Sequence, residues 1–128
     1  MTADLQGCRV LVVEDDALLA LVYDEFLQDA GADVVGPAAT VAEGGKLAEA
    51  NGISVALLDV RLGDAEVWPV ARILAGKGVP FVFCTGHFSS GSIPAEWSGR
   101  PVLTKPVRPT QVVAALVKAL ASGDPEPG

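Results

Sequence analysis

The sequence is short of basic residues. It has 9 Lys and Arg against 16 Asp and Glu, which gives a formal net charge of −7. Surfaces that bind nucleic acid or an anionic membrane need basic patches, so this charge argues against both kinds of partner. It is compatible with a bound cation or a basic protein partner. We therefore expect neither nucleic acid nor membrane among the partners.

Long hydrophobic runs and a secretion signal are also absent. No apolar stretch approaches the roughly 20 residues that a membrane-spanning helix needs. The first residues, MTADLQGCRVLVV, lack the cationic stretch, apolar core and cleavage site of a signal peptide. The two cysteines, Cys8 and Cys84, show neither CxxC nor zinc-finger spacing. These absences predict a cytoplasmic protein with reduced, buried cysteines.

The composition is that of a globular chain with one core. Half of the 128 residues are hydrophobic and a fifth are charged, which excludes a disordered chain and suits a single domain. We expect that domain over residues 1–121. The end of the sequence, SGDPEPG, is polar with two prolines, so residues 122–128 are expected to form a disordered tail.

Short Val-rich runs alternate with helical patterns along the chain. Strands are predicted at 8–13, 32–38, 54–59, 80–85 and 101–104, and helices at 16–30, 40–51, 65–76 and 109–121. The first helix is expected to pack through a face containing Leu18, Leu19, Val22, Phe26 and Leu27. Residues 86–99 are rich in Gly and Ser and have room for one short helix at most.

This alternation predicts an α/β fold with a five-stranded parallel sheet. Three of the strands, 8–13, 54–59 and 80–85, are apolar nearly throughout, which is typical of strands covered by helices on both faces. Right-handed crossovers and five strands favour the flavodoxin-like (βα)5 arrangement with strand order 2-1-3-4-5. The fourth helix is expected to be short or irregular.

Polar residues follow the carboxyl ends of four predicted strands, where ligands bind in such sheets. They are Glu14, Asp15 and Asp16, then Asp59, then Thr85 and Gly86, and finally Lys105 and Pro106. Clustered carboxylates favour Mg²⁺, with Mn²⁺ as the alternative. A lysine ammonium, a threonine hydroxyl and a glycine N–H suit phosphoryl oxygens. The pattern predicts phosphoryl transfer, with Asp59 as the candidate nucleophile because it ends the central strand in an apolar setting.

Four short motifs carry a resemblance to a known family. VLVVEDD begins at position 10, LLDVRL at 57, FCTG at 83 and LTKP at 103. In this order, each at a strand end, they resemble the receiver domain of two-component response regulators. The resemblance covers residues from about 8 to 121, which is essentially the whole predicted domain.

The resemblance implies a phosphoacceptor and a metal site. Asp59 is the implied phosphoacceptor and also a metal ligand, Asp15 binds Mg²⁺ directly, and Glu14 holds the metal through water. The backbone carbonyl of Arg61 is the implied third protein ligand. Asp16 is the surplus acid, and we favour it as the cap of the first helix over a metal ligand, because an Asp there satisfies free N–H groups.

The same resemblance assigns the phosphate-binding groups. Thr85 corresponds to the switch hydroxyl, with the N–H of Gly86 beside it. Lys105 corresponds to the lysine that binds the phosphoryl group, and its peptide bond to Pro106 is cis in the family.

Two departures from the family pattern concern the switch. Receivers usually carry Tyr or Phe three positions before the lysine, where this chain has Val102. FCTGH resembles the Phe-Ala-Thr-Gly loop of an alphaproteobacterial receiver subclass, with Cys84 in place of Ala and a histidine after the glycine. His87 is either a modulator of the site or a solvated loop residue, and the sequence does not favour one interpretation over the other. Phe88 is a candidate for the aromatic role that Val102 cannot fill.

We therefore expect a single-domain response regulator rather than an enzyme acting on other substrates. A histidine kinase or a histidine phosphotransfer protein would supply the phosphoryl group, and a downstream protein would read the result. The alternatives are a receiver-like interaction module that works unphosphorylated, and a receiver excised from a hybrid histidine kinase. A hydrolase working through an aspartyl phosphate is disfavoured, because such enzymes carry an acid where this chain has Arg61.

Overall fold

Parallel strands form the centre of the structure, a computed structural model that describes residues 4–86 and 93–122. The strands are β1 (Arg9–Val13), β2 (Asp33–Ala38), β3 (Val55–Asp59), β4 (Arg61–Leu62), β5 (Ala65–Glu66), β6 (Phe81–Thr85) and β7 (Val102–Thr104). The helices are α1 (Ala17–Asp29), α2 (Val41–Ala48), α3 (Trp68–Gly76) and α4 (Pro109–Ser122).

Five of these strands make one parallel sheet in the order β2-β1-β3-β6-β7. They are the five predicted strands, so the predicted parallel sheet and its strand order are confirmed. The strand order reverses between β1 and β3, which places the carboxyl ends of these two strands beside a crevice. β4 and β5 form a separate antiparallel hairpin directly after β3, which was not predicted.

The fourth crossover departs from a strict (βα)5 pattern. Four α-helices occur in the described part of the chain, and the crossover between β6 and β7 contains a 3-10 helix at Ala95–Trp97. The predicted short or irregular helix falls partly on residues 87–92, which lie outside the described residues. The α/β fold is thus confirmed, whereas five complete βα units are not.

Helix bounds follow the sequence pattern most closely at α1 and α4. α2 ends at Ala48, three residues before the predicted end, and α3 begins at Trp68 instead of residue 65. The later start has a local cause, because residues 65–66 belong to β5 and Pro69 lies in the first turn of the helix. No helix within residues 4–86 and 93–122 is long and apolar enough to span a membrane. Residues 123–128, most of the predicted tail, are outside the description.

Helices cover both faces of the sheet, and the sheet divides the hydrophobic core into two clusters. On one face α2 and α3 pack over an α3-side cluster whose large members are Trp68, Phe81, Phe83 and Trp97. On the other face α1 and α4 pack over an α1-side cluster that includes Tyr23, Leu27, Cys84, Val112 and Leu116. The nearly continuous apolar runs of β1, β3 and β6 are explained by this two-sided burial.

The predicted inner face of α1 is wrong at two positions. Leu18 is 70% exposed and Val22 is 42% exposed, whereas the buried residues of the helix are Ala20, Tyr23 and Leu27. Apolar residues surround much of this helix, so periodicity alone does not fix which side meets the sheet. The observed rotation buries the one tyrosine and leaves an apolar stripe facing outward.

Candidate functional site

Two carboxylates lie buried at the switch in strand order. Glu14 follows β1 and Asp59 ends β3, and these strands are neighbours in the sheet. Only 2% of Glu14 and 6% of Asp59 is exposed. Burying an ionised carboxylate is costly unless a positive group or several hydrogen bonds compensate it. The pair therefore requires a counter-charge.

Lys105 supplies that counter-charge. Its Nζ donates to Oε1 of Glu14 at 2.7 Å and to Oδ2 of Asp59 at 3.3 Å. The backbone N–H of Lys105 donates to the carbonyl of Thr85 at 2.8 Å, which fixes the start of the lysine side chain beside the end of β6. Folding thus joins residues that are 91 positions apart. One ammonium group serves two buried carboxylates.

This shortage of positive charge shifts the pKa values of the site. Burial raises the pKa of Asp59 to about 7, well above its ordinary value of 3.8, and the neighbouring Glu14 raises it further against the opposing effect of Lys105. Burial lowers the pKa of Lys105, but the hydrogen bond to Glu14 and the charge of Asp59 raise it more, so the net shift is upward. Lys105 stays charged, and a second cation beside Asp59 would stabilise the ionised form of its carboxyl group.

A third carboxylate makes the site suitable for a metal ion. One oxygen atom from each of Glu14, Asp15 and Asp59 can be chosen so that all lie within 4.8 Å of one another. All three donors are carboxylate oxygens, the ligands that Mg²⁺ prefers. Asp15 is exposed, and its Oδ2 accepts a hydrogen bond of 2.9 Å from the N–H of Gly63 in the turn between β4 and β5. The donor set fits a divalent cation that keeps some of its water.

Thr85 and Gly86 complete the pocket on the β6 side. Thr85 is the last residue of β6 and is buried, and it lies opposite Thr104 in the β6–β7 pair. A Cβ added to Gly86 would lie 3.6 Å from Cδ of Lys105, so the backbone here runs close along the lysine stem. We call the group of Glu14, Asp15, Asp59, Thr85 and Lys105 the acid pocket.

Two solved structures are similar to this chain along most of its length. SdrG from Sphingomonas melonis is 38% identical, with 94% of this chain and 99% of that chain covered at a TM-score of 0.77. A CheY-like response regulator receiver domain protein from Methanospirillum hungatei is 26% identical, with 90% and 94% covered at a TM-score of 0.80. The chain belongs to the response regulator receiver family. Its role as a receiver in two-component signalling follows from this membership.

One curated protein is similar along most of this receiver. The phyllosphere-induced regulator PhyR of Methylorubrum extorquens is 29% identical over 126 residues, which are 94% of this chain. The receiver spans 46% of the length of that relative, so about half of PhyR has no counterpart here. No protein-family model matches the chain.

The remaining predicted residues have mixed outcomes. Asp16 caps α1 as predicted, because its Oδ1 accepts from the N–H groups of Leu18 at 3.0 Å and Leu19 at 3.1 Å. The Lys105–Pro106 peptide bond is cis, as the resemblance implies. Arg61 is exposed at the start of β4, and the role of its carbonyl stays a prediction. His87 and Phe88 lie outside the described residues.

Sequence reasoning missed two contacts of the receiver's acid pocket. It assigned Lys105 to phosphate and did not foresee that the same lysine neutralises Glu14. It also missed Gly63, whose N–H holds Asp15. The Gly-Asp pair that follows Leu62 is a common turn signal and could have indicated the hairpin. The contact to Asp15 depends on the tertiary structure and has no local signal.

Proposed function

We propose that this receiver accepts a phosphoryl group on Asp59 from a phosphohistidine of a histidine kinase or histidine phosphotransfer protein, and that it signals through contact with a downstream protein. The observation that carries the proposal is the placement of Asp59, buried between Glu14 and Lys105 at the reversal of strand order. The proposed setting is the cytoplasm, where such donors present their phosphohistidines.

The proposed transfer is an in-line displacement at phosphorus. A carboxylate oxygen of Asp59 forms the new O–P bond while the P–N bond of phosphohistidine breaks, and the imidazole keeps the electron pair of that bond. Asp59 must be deprotonated to act, and its raised pKa makes this form less abundant in the absence of added positive charge. Lys105 already contacts Asp59, so a small movement carries its ammonium to the transferred group.

A divalent cation would add the missing positive charge. Glu14, Asp15 and Asp59 would hold Mg²⁺, or Mn²⁺ with the same oxygen ligands, together with the carbonyl of Arg61. When bound, the metal neutralises charge that develops on the phosphoryl oxygens. Lys105, the Thr85 hydroxyl and the Gly86 N–H would hold those oxygens in the product.

An exposed apolar stripe beside the pocket supports a protein donor. Leu18, Leu21 and Val22 are exposed on α1 at a spacing that puts them on one face of the helix. Val22 also lines a groove of about 330 Å³, and Lys105 and Pro106 line the same groove. A protein that covers this stripe would stand directly beside Lys105. Leu18→Ser should therefore slow transfer from a protein donor and leave labelling by acetyl phosphate unchanged.

The chemistry proposed is limited to the receiver itself. It takes up the phosphoryl group and loses it by hydrolysis of its own acyl phosphate, and it does not turn over another substrate. The similarity to PhyR and SdrG, together with the FCTG motif, supports membership of the alphaproteobacterial receiver subclass. The downstream target is proposed only as a protein.

Asp59→Asn tests the phosphoacceptor. Wild-type protein with Mg²⁺ and either acetyl phosphate or a phosphorylated kinase should acquire an acid-labile phosphoryl group, and the variant should acquire none. Asp64→Asn is the matched control, because Asp64 is an exposed acid in the neighbouring turn and should not affect labelling. Label on Asp59→Asn would refute the site. An unlabelled wild type that still binds its partner would favour the phosphorylation-independent module.

A further inference from the structure

Tyr23 is the one tyrosine of the sequence, and it is buried in the α1-side cluster. It lies on the inner face of α1 with 2% of its surface exposed. Its ring meets that of Phe26 edge-on, at 5.7 Å between centroids. A buried tyrosine is a large apolar group with a polar tip, and that tip normally finds a hydrogen-bond partner.

The partner of the hydroxyl is a thiol. Oη of Tyr23 lies 3.6 Å from Sγ of Cys84, and either atom can donate. Both residues belong to the α1-side cluster, so the contact is surrounded by aliphatic side chains. Sulfur is a weak hydrogen-bonding atom. An aliphatic residue at position 84 would remove the contact, so this polar link depends on the departure from Ala noted in the sequence.

Cys84 connects this contact to the groups that handle the phosphoryl group. It is the register partner of Asp59 in the β3–β6 pair. Its carbonyl accepts the N–H of Val60 at 3.2 Å, and Thr85 follows it in the chain. A shift of Cys84 therefore moves Thr85 relative to Asp59, and a side chain that restrains Cys84 restrains that distance.

The hydroxyl also senses the charge of the pocket. Burial raises the pKa of Tyr23, and the contact with Cys84 and the charges of Glu14 and Asp59 add to the shift. The group stays protonated at working pH and remains available as a donor. Because the charge of Asp59 contributes to the pKa of the Tyr23 hydroxyl, a change of that charge should alter the electrostatic environment of the hydroxyl. This holds although Tyr23 belongs to a helix on one face of the sheet.

The usual aromatic position of a receiver is filled by Val102, on β7. Val102 is partly buried and packs against the α3-side cluster, and it has no polar group. Tyr23 approaches β6 from the opposite face, with its hydroxyl one residue away from Thr85 along the strand. An aromatic hydroxyl therefore contacts the strand that ends in Thr85, but it does so from α1.

We propose that Tyr23 is a positioning residue for phosphoryl transfer, which acts through Cys84 to hold the end of β6, and thus Thr85, in place beside Asp59. The contact also links the pocket to α1, the helix that displays Leu18, Leu21 and Val22. The inference rests on the proposed function. It assigns to α1 a part in the response to phosphorylation as well as in contact with a donor.

Fluorine NMR can observe this residue alone, because protein expressed with 3-fluorotyrosine carries a single fluorine label, at Tyr23. Beryllofluoride with Mg²⁺, a stand-in for the phosphoryl group, should move the fluorine signal of the full chain. The shift should be absent in Asp59→Asn and reduced in Cys84→Ala. Cys8→Ala is the matched control, since Cys8 is a half-buried thiol immediately before β1, and should respond as wild type. An unmoved signal in beryllofluoride-bound wild type overturns the inference.

A double-mutant cycle on the labelling rate separates positioning from packing. Tyr23→Phe keeps the ring and removes the hydroxyl, and Cys84→Ala removes the thiol. Each should slow labelling by acetyl phosphate, on the order of five-fold, the equivalent of one hydrogen bond. The double variant should be no slower than either single variant, because both remove the same contact. Cys84→Ser should restore much of the rate by offering a hydroxyl.

The outcomes of the two proposals can be told apart. If wild type takes neither beryllofluoride nor phosphoryl groups, the proposed function fails and this inference fails with it. If wild type is labelled normally but the two single effects multiply in the double variant, Tyr23 and Cys84 act independently. In that case the positioning role is refuted and the phosphoacceptor assignment is unaffected.

Discussion

The α3-side cluster and the acid pocket share strands but are built in opposite ways. In the cluster, Phe83 packs edge-on against Trp68 at 5.5 Å and against Phe81 at 5.3 Å between ring centroids. These groups are neutral and mutually complementary. In the pocket, one ammonium contacts two buried carboxylates, and a third, exposed carboxylate lies beside these two. The difference indicates that the cluster stabilises the fold, whereas the incompletely compensated charge of the pocket reduces its stability.

The largest expected effect tests whether the α3-side cluster stabilises the fold. Phe83→Ala should lower the free energy of unfolding by about 4 kcal/mol, because it leaves a cavity among rings that cannot close around it. Urea denaturation measures this loss. Phe26→Ala on α1 is the control, and since Phe26 is only partly buried its loss should be clearly smaller. Equal losses in the two variants would show that Phe83 in the α3-side cluster contributes no more to stability than the partly buried Phe26 does.

The second effect removes the counter-charge of the pocket. Lys105→Met should cost about 3 kcal/mol at pH 8 in a chelating buffer, because two buried carboxylates then lack a cation. Added Mg²⁺ should restore much of this loss, which denaturation with and without the metal would measure. Lys118→Met, an exposed lysine of α4, should change stability little and show no extra dependence on Mg²⁺.

The third effect has the opposite sign. The pKa of Asp59 is raised from 3.8 to about 7, so the folded state binds the proton more tightly than the unfolded state does. The stability that this group contributes is present below about pH 4 and is lost as the pH rises towards about 7. Asp59→Asn removes the charge and should raise the free energy of unfolding by about 2 kcal/mol at pH 8 without metal.

The gain from Asp59→Asn should shrink on acidification. At pH 5 most Asp59 carboxyls in the folded wild type carry a proton, so the two proteins should differ little. Chemical denaturation at both pH values measures the difference. A gain at pH 5 as large as that at pH 8 would show that the stabilisation does not come from the charge of Asp59.

The smallest effect concerns the cap between the pocket and α1. Asp16→Ala should lower the free energy of unfolding by about 1 kcal/mol, because the N–H groups of Leu18 and Leu19 lose their acceptor. Thermal denaturation with and without Mg²⁺ measures this loss. The cost should be the same with and without the metal if Asp16 acts only as a cap. A cost that appears only with the metal would make Asp16 a ligand.

Much of the fold was accessible from sequence because it depends on local patterns. The apolar runs that end at Val13, Asp59 and Thr85 predict buried parallel strands, and the known order of such sheets brings their carboxyl ends together. The same rule grouped Lys105 with acids far away in the chain. These predictions use periodicity and topology, which tolerate errors of a residue or two at each boundary.

The features that sequence analysis missed depend on how side chains pack in the tertiary structure. α1 is apolar on several sides, so its pattern did not reveal that Tyr23 faces inward and Leu18 outward. The contact between Tyr23 and Cys84 follows from that rotation and has no signature of its own. The hairpin after Asp59 was missed because its strands are only two residues long, and its second strand, Ala65–Glu66, was included in the predicted third helix.

That hairpin lies between Asp15 and the indole ring of Trp68. One end of it holds Asp15 through the N–H of Gly63, and at the other end Oε1 of Glu66 accepts the indole N–H of Trp68 at 3.1 Å. Indole emission responds to the loss or tightening of such a bond. A ligand that draws Asp15 inward should therefore also disturb the bond between Glu66 and Trp68, and we expect its binding to change the tryptophan emission of unlabelled protein.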